Sequence, residues 1–195
     1  MDSIRIFGYK SFKKLSVQLH PINLLIGANG AGKSNFLSLF EMLGNIYEKR
    51  LGAYVAQVGG VDKLLYQGRK VTDRIAVNLL IAKSEYDLAL LEADGKLIVE
   101  REVVGCYDDV CPLDLVRKNV ITEYQSESSL KDHKEEDLSN YISQIRKFHF
   151  HDTGRRSPFT ADSHIVNDAY RMYEHGENLA AILYRIQREK PMAYR

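Results

Sequence analysis

The sequence predicts an α/β fold. Residues 22–26 (INLLI) form a continuous apolar run, a glycine-rich segment occupies 27–34, and residues 35–46 place apolar side chains at helical spacing. A strand, a glycine loop and an amphipathic helix in that order are typical of an α/β unit in which the helix packs back on the sheet. Three short apolar segments within residues 74–104 are separated by polar breaks and predict an antiparallel β-meander.

The first strands follow from alternation of apolar and polar residues. Residues 3–7 (SIRIF) and 15–19 (LSVQL) alternate and flank a short connection, GYKSFKK, which predicts a hairpin or adjacent strands. The apolar run at 22–26 fits a strand buried on both faces of a sheet. The helix after the glycine loop has one apolar face, which is formed by Phe36, Leu39, Phe40 and Leu43.

The remaining elements are predicted from the positions at which the periodicity of apolar residues is interrupted. Glycines in 47–70 allow only short helical or loop pieces. The meander comprises residues 74–82, 86–93 and 96–104, and Asp94-Gly95 is its best turn signal. The polar segment 105–134 predicts loops with at most one strand. Helical spacing returns at 135–145 and near 179–186, and KFHFH at 147–151 resembles a short strand.

Residues 27–34 satisfy the phosphate-binding pattern G-x-x-x-x-G-K-[ST] in full. Glycines allow a tight turn with inward-pointing N–H groups, and the following helix adds unpaired N–H groups and a positive dipole end. The lysine supplies an ammonium for β and γ oxygens, and the serine hydroxyl suits Mg²⁺. We expect ATP and Mg²⁺ to bind here, with these residues: Gly27, Asn29, Gly30, Ala31, Gly32, Lys33, Ser34 and Asn35.

Charge and hydropathy exclude several classes of protein. Lysine plus arginine number 27 against 26 acids, a net charge of +1, so no overall electrostatic attraction to nucleic acid is expected and any DNA contact must be local. The start of the chain lacks the apolar region of a signal peptide, and no apolar run approaches the roughly 18 residues that span a bilayer. We expect a cytoplasmic protein with no membrane partner.

The N-terminal 45 residues resemble the head domain of the SMC/RecF class of ABC-type ATPases. In that class an "fKSF" element precedes a loop of the form "GpNGsGKSN". Here Lys10, Ser11 and Phe12 stand in the first element, and Asn29 to Asn35 stand in the second. The resemblance implies that Lys10 and Ser11 contact the α-phosphate or the ribose.

The segments FHFHDTGRRSPF (148–159) and HGENLAAILYRI (175–186) resemble bacterial ATPases related to the overcoming-lysogenization-defect family. This extends the resemblance across most of the chain. It implies one ABC-type head over 1–195, with a strand, loop and helix core at 1–46, an antiparallel β subdomain at 74–104 and a mostly helical part at 135–195. The implied roles are DNA repair, DNA maintenance or phage defence.

Such ATPases also need a Walker B strand ending in Asp-Glu and an LSGG-type loop, and neither string occurs in the sequence. VVGCYDD at 103–109 is interrupted, and LSNY at 138–141 lacks the glycines. We therefore assign no catalytic residue and expect an N-terminal portion of a head. Its expected partner is either the missing C-terminal half or a second head in a nucleotide-bound homodimer. An exposed apolar surface is expected where the missing half packs.

Residues near 150 allow three interpretations. His149 and His151 alternate, so on a strand both point to one face, and with Asp152 they could ligate a divalent metal. They are better explained as polar residues at a strand end near the nucleotide. A third interpretation gives Gln144, His151 or Asp152 the role of the Q-loop that links the γ-phosphate to a helical subdomain, and we favour it over metal ligation.

Three functions remain open on the sequence alone. They are an ATPase motor or clamp acting on DNA, a nucleotide-sensing switch that recruits an effector, and an ABC transport subunit. The transporter is disfavoured, because its Q-loop, LSGGQ and Walker B motifs are expected within this length. A GTPase is disfavoured because no N-K-x-D motif is present.

Overall fold

The computed structural model describes residues 1–107, 115–133, 136–148 and 169–190. The chain divides into two compact units, Met1–Ile145 and Arg146–Arg195. The first unit holds one sheet and three described helices. The described part of the second unit contains one helix, α4 (Leu179–Glu189).

The first unit is built on a six-stranded sheet in the order β2-β1-β3-β4-β5-β6. Every neighbouring pair is antiparallel. The meander β3–β5 is therefore continuous with the N-terminal hairpin and extends the same sheet. The strands are β1 (Ser3–Tyr9), β2 (Phe12–Gln18), β3 (Arg74–Ile81), β4 (Ser84–Ala93), β5 (Lys96–Tyr107) and β6 (Leu115–Gln125).

Two tight turns set the strand register. Tyr9 pairs with Phe12, so the first hairpin closes through the two residues Lys10 and Ser11, with Lys10 at φ 46°. Asp94 and Gly95 join β4 to β5 with φ of 51° and 78°. Positive φ at both central residues is required by the two-residue turn whose twist matches that of the flanking strands. The predicted hairpin and the predicted meander are both confirmed.

Three helices accompany the sheet: α1 (Lys33–Tyr47), α2 (Leu51–Gln57) and α3 (Glu136–Ser143). Alternate residues of each central strand are buried, as in β3, where Ile75, Val77, Leu79 and Ile81 point into the core. The apolar face of α1 joins the same core and contacts α2 and α3. One face of the sheet is thus covered, as the period-two pattern requires. None of the described helices combines the length and apolar character needed to cross a membrane.

Residues 22–26 do not form the buried strand that their apolar character predicts. They lie outside every strand, and Ile22, Leu24 and Ile26 are 89%, 81% and 84% exposed. A strand buried on both faces needs neighbouring strands and a cover on each side. Within the described residues the sheet is entirely antiparallel, and it offers this segment no parallel neighbour. The apolar run therefore remains on the surface.

The polar segment 105–134 contains the one strand that its sequence allows, in its described residues. Strand β5 continues to Tyr107, and β6 occupies Leu115–Gln125 within this segment. A short 3₁₀ turn, Leu130–Asp132, follows. The strand is stable despite its polar residues because it pairs along β5 and directs Thr122 into a buried hydrogen-bond network. The predicted helix at 135–145 is confirmed, with Leu138 and Ile142 buried.

A buried carboxylate ties three strands to the turn after β6. Glu102 is fully buried and accepts hydrogen bonds from the hydroxyls of Tyr86 at 2.5 Å, Thr122 at 2.6 Å and Ser128 at 2.6 Å. The backbone N–H of Ser129 donates a fourth at 3.1 Å. A buried charge is tolerated only when its lone pairs are satisfied, and these donors supply that satisfaction. The network therefore fixes the backbone at 128–129.

The same turn reaches the end of α1 and the start of α2. Glu127 accepts hydrogen bonds from the backbone N–H groups of Leu51, at 3.0 Å, and Gly52, at 3.4 Å. A carboxylate at this end of a helix satisfies donors that lack intrahelical acceptors. Two exposed ion pairs add to the contact, Lys49 with Asp132 and Lys131 with Glu48. The sheet is thereby fastened to the C-terminal end of α1.

We predict that Glu102→Gln lowers the free energy of unfolding by about 2 kcal/mol, because an amide group cannot accept all four hydrogen bonds and leaves buried donors without acceptors. Urea unfolding at neutral pH measures the change. Glu123→Gln, on the exposed side of β6, is the matched control and should change the same free energy by less than about 0.5 kcal/mol. Equal effects of the two substitutions would contradict a structural role for the buried carboxylate.

Candidate functional site

The glycine-rich loop of residues 27–34 leads directly into α1. Gly30 and Gly32 have φ of 84° and 92°, a conformation that L residues rarely adopt. The Lys33 ammonium folds back over the loop and donates to the carbonyl oxygens of Gly27 and Ala28, each at 2.7 Å. Two of its three N–H donors are thus used to hold it in place. The third is available to an anion bound in the loop.

The start of α1 leaves backbone donors directed out of the helix. The first intrahelical bond is donated by the Phe36 N–H to the Gly32 oxygen at 2.9 Å, so the amides of Lys33, Ser34 and Asn35 precede the helical ladder. Gly32 is the N-cap residue and no side chain caps the helix. Unpaired amides and the positive end of the helix dipole together favour an anion at this position.

The β1–β2 turn contacts the beginning of α1. Asn35 Nδ2 donates to Ser11 Oγ at 3.0 Å. A Cβ atom placed on Gly32 would lie 3.0 Å from Ser11 Oγ and 3.2 Å from the Phe12 ring. The loop can approach the turn this closely only because residue 32 is glycine. The structure therefore brings together the two segments in which the sequence resembles the SMC/RecF class.

Lys10 lies in the same turn but reaches further along α1. Its ammonium donates to Ser38 Oγ at 2.8 Å. Tyr9 and Tyr54 lie behind it, and both side chains are buried. Burial raises the pKa of the Tyr9 phenol well above its ordinary value and raises the pKa of Tyr54 as well. Both phenols therefore stay protonated at neutral pH.

A cleft of about 900 Å³ opens beside the β1–β2 turn and the first turn of α1. It is lined by Lys10, Ser11 and Asn35, and by the basic side chains Lys63, Arg69 and Lys70. Asp62 is the acidic residue of the lining. It accepts a hydrogen bond from the Arg69 N–H at 3.0 Å and pairs with the Arg69 guanidinium at 3.4 Å. This volume suits a small-molecule ligand, and the excess of cations suits an anionic one.

The sequence did not single out several residues of this cleft. Lys63, Arg69 and Lys70 belong to the glycine-interrupted segment 47–70, which we read only as loops and short helices. The signals present in the sequence were Gly60 and Gly68, since both take positive φ and shape the segment. These glycines point to the cleft only once the segment is known to lie beside the β1–β2 turn. There the Tyr66 N–H donates to the Gly8 oxygen at 2.9 Å.

Of the predicted Q-loop and metal residues, only Gln144 lies within the described residues. Gln144 is exposed in the turn that ends α3. His149, His151 and Asp152 lie outside the described residues, so their interpretations stay predictions. In the part of the chain that is described, no three side chains of His, Cys, Asp or Glu are grouped to hold a metal ion.

Comparison with known protein families bears on the function of this site. The sequence model of the AAA ATPase domain family matches residues 1–178, most of the 195-residue chain. The match includes the glycine loop, the turn with Lys10 and Ser11, and the whole six-stranded sheet. No protein in the curated collection matches the chain. Membership of this family implies nucleotide binding and hydrolysis.

We predict that Gly32→Ala lowers the free energy of unfolding by about 1–3 kcal/mol, because φ of 92° and the contact with Ser11 both oppose a Cβ atom. Gly44→Ala is the matched control on the same helix, where an added Cβ meets nothing within 4 Å. It should raise stability by about 0.5–1 kcal/mol through helix propensity. Urea unfolding of the two variants distinguishes the positions, and a stabilised Gly32→Ala protein would refute the close approach.

We predict that stability is constant from pH 7 to 9 and falls above about pH 10, the ordinary pKa of tyrosine. The folded-state pKa values of Tyr9, Tyr54 and Tyr86 are raised, so the fold favours the protonated phenols. Their contribution is complete below the unfolded pKa and is lost as the pH rises through the folded pKa. Urea unfolding across this range checks the sign. Tyr9→Phe should reduce the alkaline loss, and an unchanged profile would contradict it.

Proposed function

The chain belongs to the AAA ATPase domain family, and from that premise we propose that it is an SMC/RecF-like ATPase head that binds Mg-ATP through residues 27–34. Hydrolysis is proposed to require a Walker B and signature half that this sequence does not contain. The observation that carries the proposal is the position of the Lys33 ammonium, 2.7 Å from both Gly27 O and Ala28 O.

This arrangement supports recognition of a triphosphate. Lys33 keeps two donors on the loop and directs its remaining donor toward the β and γ oxygens. The amides of Ser34 and Asn35 add directional donors that need no rearrangement, because the helix already holds them outside its hydrogen-bond ladder. Binding energy is then not spent on ordering the loop.

The residues present fit a magnesium ion as well. Ser34 is exposed at the first turn of α1, and a serine at this position of the motif suits Mg²⁺. Magnesium, when bound, would supply positive charge that offsets the negative charge of the phosphate oxygens. Ser34 would supply one hydroxyl ligand from the chain.

The basic cleft is the proposed place for the rest of the nucleotide. Its volume of about 900 Å³ is within the range of small-molecule sites. Lys10 and Ser11 are proposed to contact the α-phosphate or the ribose, as their match to the family element implies. We propose ATP over GTP because the guanine-reading N-K-x-D string does not occur.

The partner is proposed to be a second head in a nucleotide-bound homodimer or a C-terminal half that supplies Walker B. The exposed apolar run at 22–26 supports this, since Ile22, Leu24 and Ile26 are each more than 80% exposed. Exposed apolar patches on soluble proteins mark interaction sites. A strand of this composition is typical of the buried interior of a parallel sheet.

The biological role is proposed to be DNA repair, DNA maintenance or phage defence, in line with the resemblance to the SMC/RecF class. A nucleotide-sensing switch that recruits an effector is the second candidate. Turnover by the complete assembly, measured with and without DNA, separates them, because only the motor or clamp is expected to be stimulated by DNA.

We predict that this chain binds Mg-ATP and that Lys33→Ala weakens the affinity at least about tenfold, because the substitution removes the ammonium held over the loop. Titration calorimetry with Mg-ATP measures the affinity. Lys14→Ala removes the same charge from the exposed strand β2 and should bind as the unaltered chain does.

A turnover assay on the same samples tests the second part of the proposal. Neither the unaltered chain nor Lys33→Ala is expected to release phosphate. Robust turnover by this chain alone would refute the requirement for a separate catalytic half. Absence of Mg-ATP binding by the unaltered chain would refute the nucleotide site itself.

A further inference from the structure

One side-chain hydroxyl on α1, that of Ser38, forms hydrogen bonds with three other groups. Ser38 Oγ lies 2.8 Å from Lys10 Nζ, 2.9 Å from the Tyr9 hydroxyl and 2.8 Å from the Asn35 carbonyl oxygen. The Tyr54 hydroxyl donates to the backbone oxygen of the same serine at 3.2 Å. Ser38 is itself buried. These contacts join the β1–β2 turn, α1 and α2 at a single residue.

The number of hydrogens available determines which atom donates in each of these hydrogen bonds. A serine hydroxyl has one hydrogen and two acceptor lone pairs. Its hydrogen is donated to the Asn35 carbonyl, because a carbonyl oxygen can only accept. Ser38 Oγ therefore accepts from the Lys10 ammonium and from the Tyr9 hydroxyl. All of its hydrogen-bonding capacity is used, and replacement of the hydroxyl leaves two buried or half-buried donors without this acceptor.

The cation held by Ser38 also lines the cleft. Lys10 sits in the left-handed region at φ 46°, and its ammonium lies 5.4 Å from the centre of the Tyr9 ring. A mobile lysine side chain loses rotamer entropy when a ligand orders it, and the ligand must offset that loss. Here the ammonium is ordered by the protein before any ligand binds.

We propose that Ser38 is a positioning residue of the nucleotide site, which it serves by holding the Lys10 ammonium in the cleft. This inference rests on the function proposed above. Ser38 lies four residues beyond Ser34, about 6 Å along the helix axis. The ammonium is therefore set away from the site of the β and γ oxygens at Lys33 and toward the α-phosphate, which every adenine nucleotide shares. Ser38 then contributes equally to the binding of ADP and ATP.

A double-mutant cycle tests the coupling. The unaltered chain, Ser38→Ala, Lys10→Met and the double variant are titrated with Mg-ATP and with Mg-ADP, and their thermal stability is measured in parallel. We expect Ser38→Ala to weaken both nucleotides about three- to tenfold and by the same factor. In the Lys10→Met background the same substitution should leave affinity unchanged, since the ammonium it positions is absent.

Two further variants separate positioning from folding. Ser38→Thr keeps the hydroxyl and should restore affinity to within about twofold of the unaltered chain. Tyr86→Phe removes a buried hydroxyl from the Glu102 network and should lower stability while leaving affinity unchanged. A merely structural Ser38 would lose affinity in both backgrounds.

The outcomes also distinguish the two proposals. If the unaltered chain binds no nucleotide, the proposed function fails. If it binds and Lys33→Ala weakens the affinity at least about tenfold, the function stands. In that case, equal loss from Ser38→Ala with and without Lys10, or no loss at all, overturns the positioning role alone.

Discussion

The contact between the β1–β2 turn and the first two turns of α1 is the constraint on which the candidate site depends. Ser11 meets Asn35, and Lys10 and Tyr9 meet Ser38, so the turn is bonded to two successive levels of the helix. The turn is itself rigid, because Tyr9 pairs with Phe12 across only two residues. The phosphate-binding loop is therefore attached to a helix whose rotation and height relative to the sheet are set by hydrogen bonds, of which the bond between Tyr9 and Ser38 is buried.

The site also shows how charge distribution differs from net charge. The chain carries a net charge of +1, which offers no general attraction for an anion. Four cations nevertheless line one cleft, and the acidic residue among them pairs with Arg69 and holds the backbone of the segment. A local excess of one sign in a concave site focuses the field where a ligand binds. Folding, and not composition, produces the basic surface.

The two ends of α1 have different surroundings. Its N-terminal end carries the loop and open backbone donors, as an anion site requires. Its C-terminal end is attached to the turn after β6 by ion pairs. That turn is held in place by a hydrogen bond from Ser128 to the buried carboxylate of Glu102. The helix thus links the antiparallel sheet to the loop through contacts at both ends. The apolar run before the loop is exposed, in contrast, and is the surface that the proposed partner would cover.

The sequence by itself determined the features that depend on neighbouring residues. The glycines at 30 and 32, the lysine at 33, the start of α1, the hairpin and the Asp94-Gly95 turn all follow from local backbone geometry and short-range periodicity. Only the tertiary structure decided which strand lies beside which, that Lys10 reaches Ser38 across 28 positions, that Lys63 and Lys70 line the cleft, and that residues 22–26 are exposed. Such contacts join residues far apart in the chain. The pattern of apolar and polar side chains predicts only whether a residue is buried. Which residue it packs against depends on the tertiary structure.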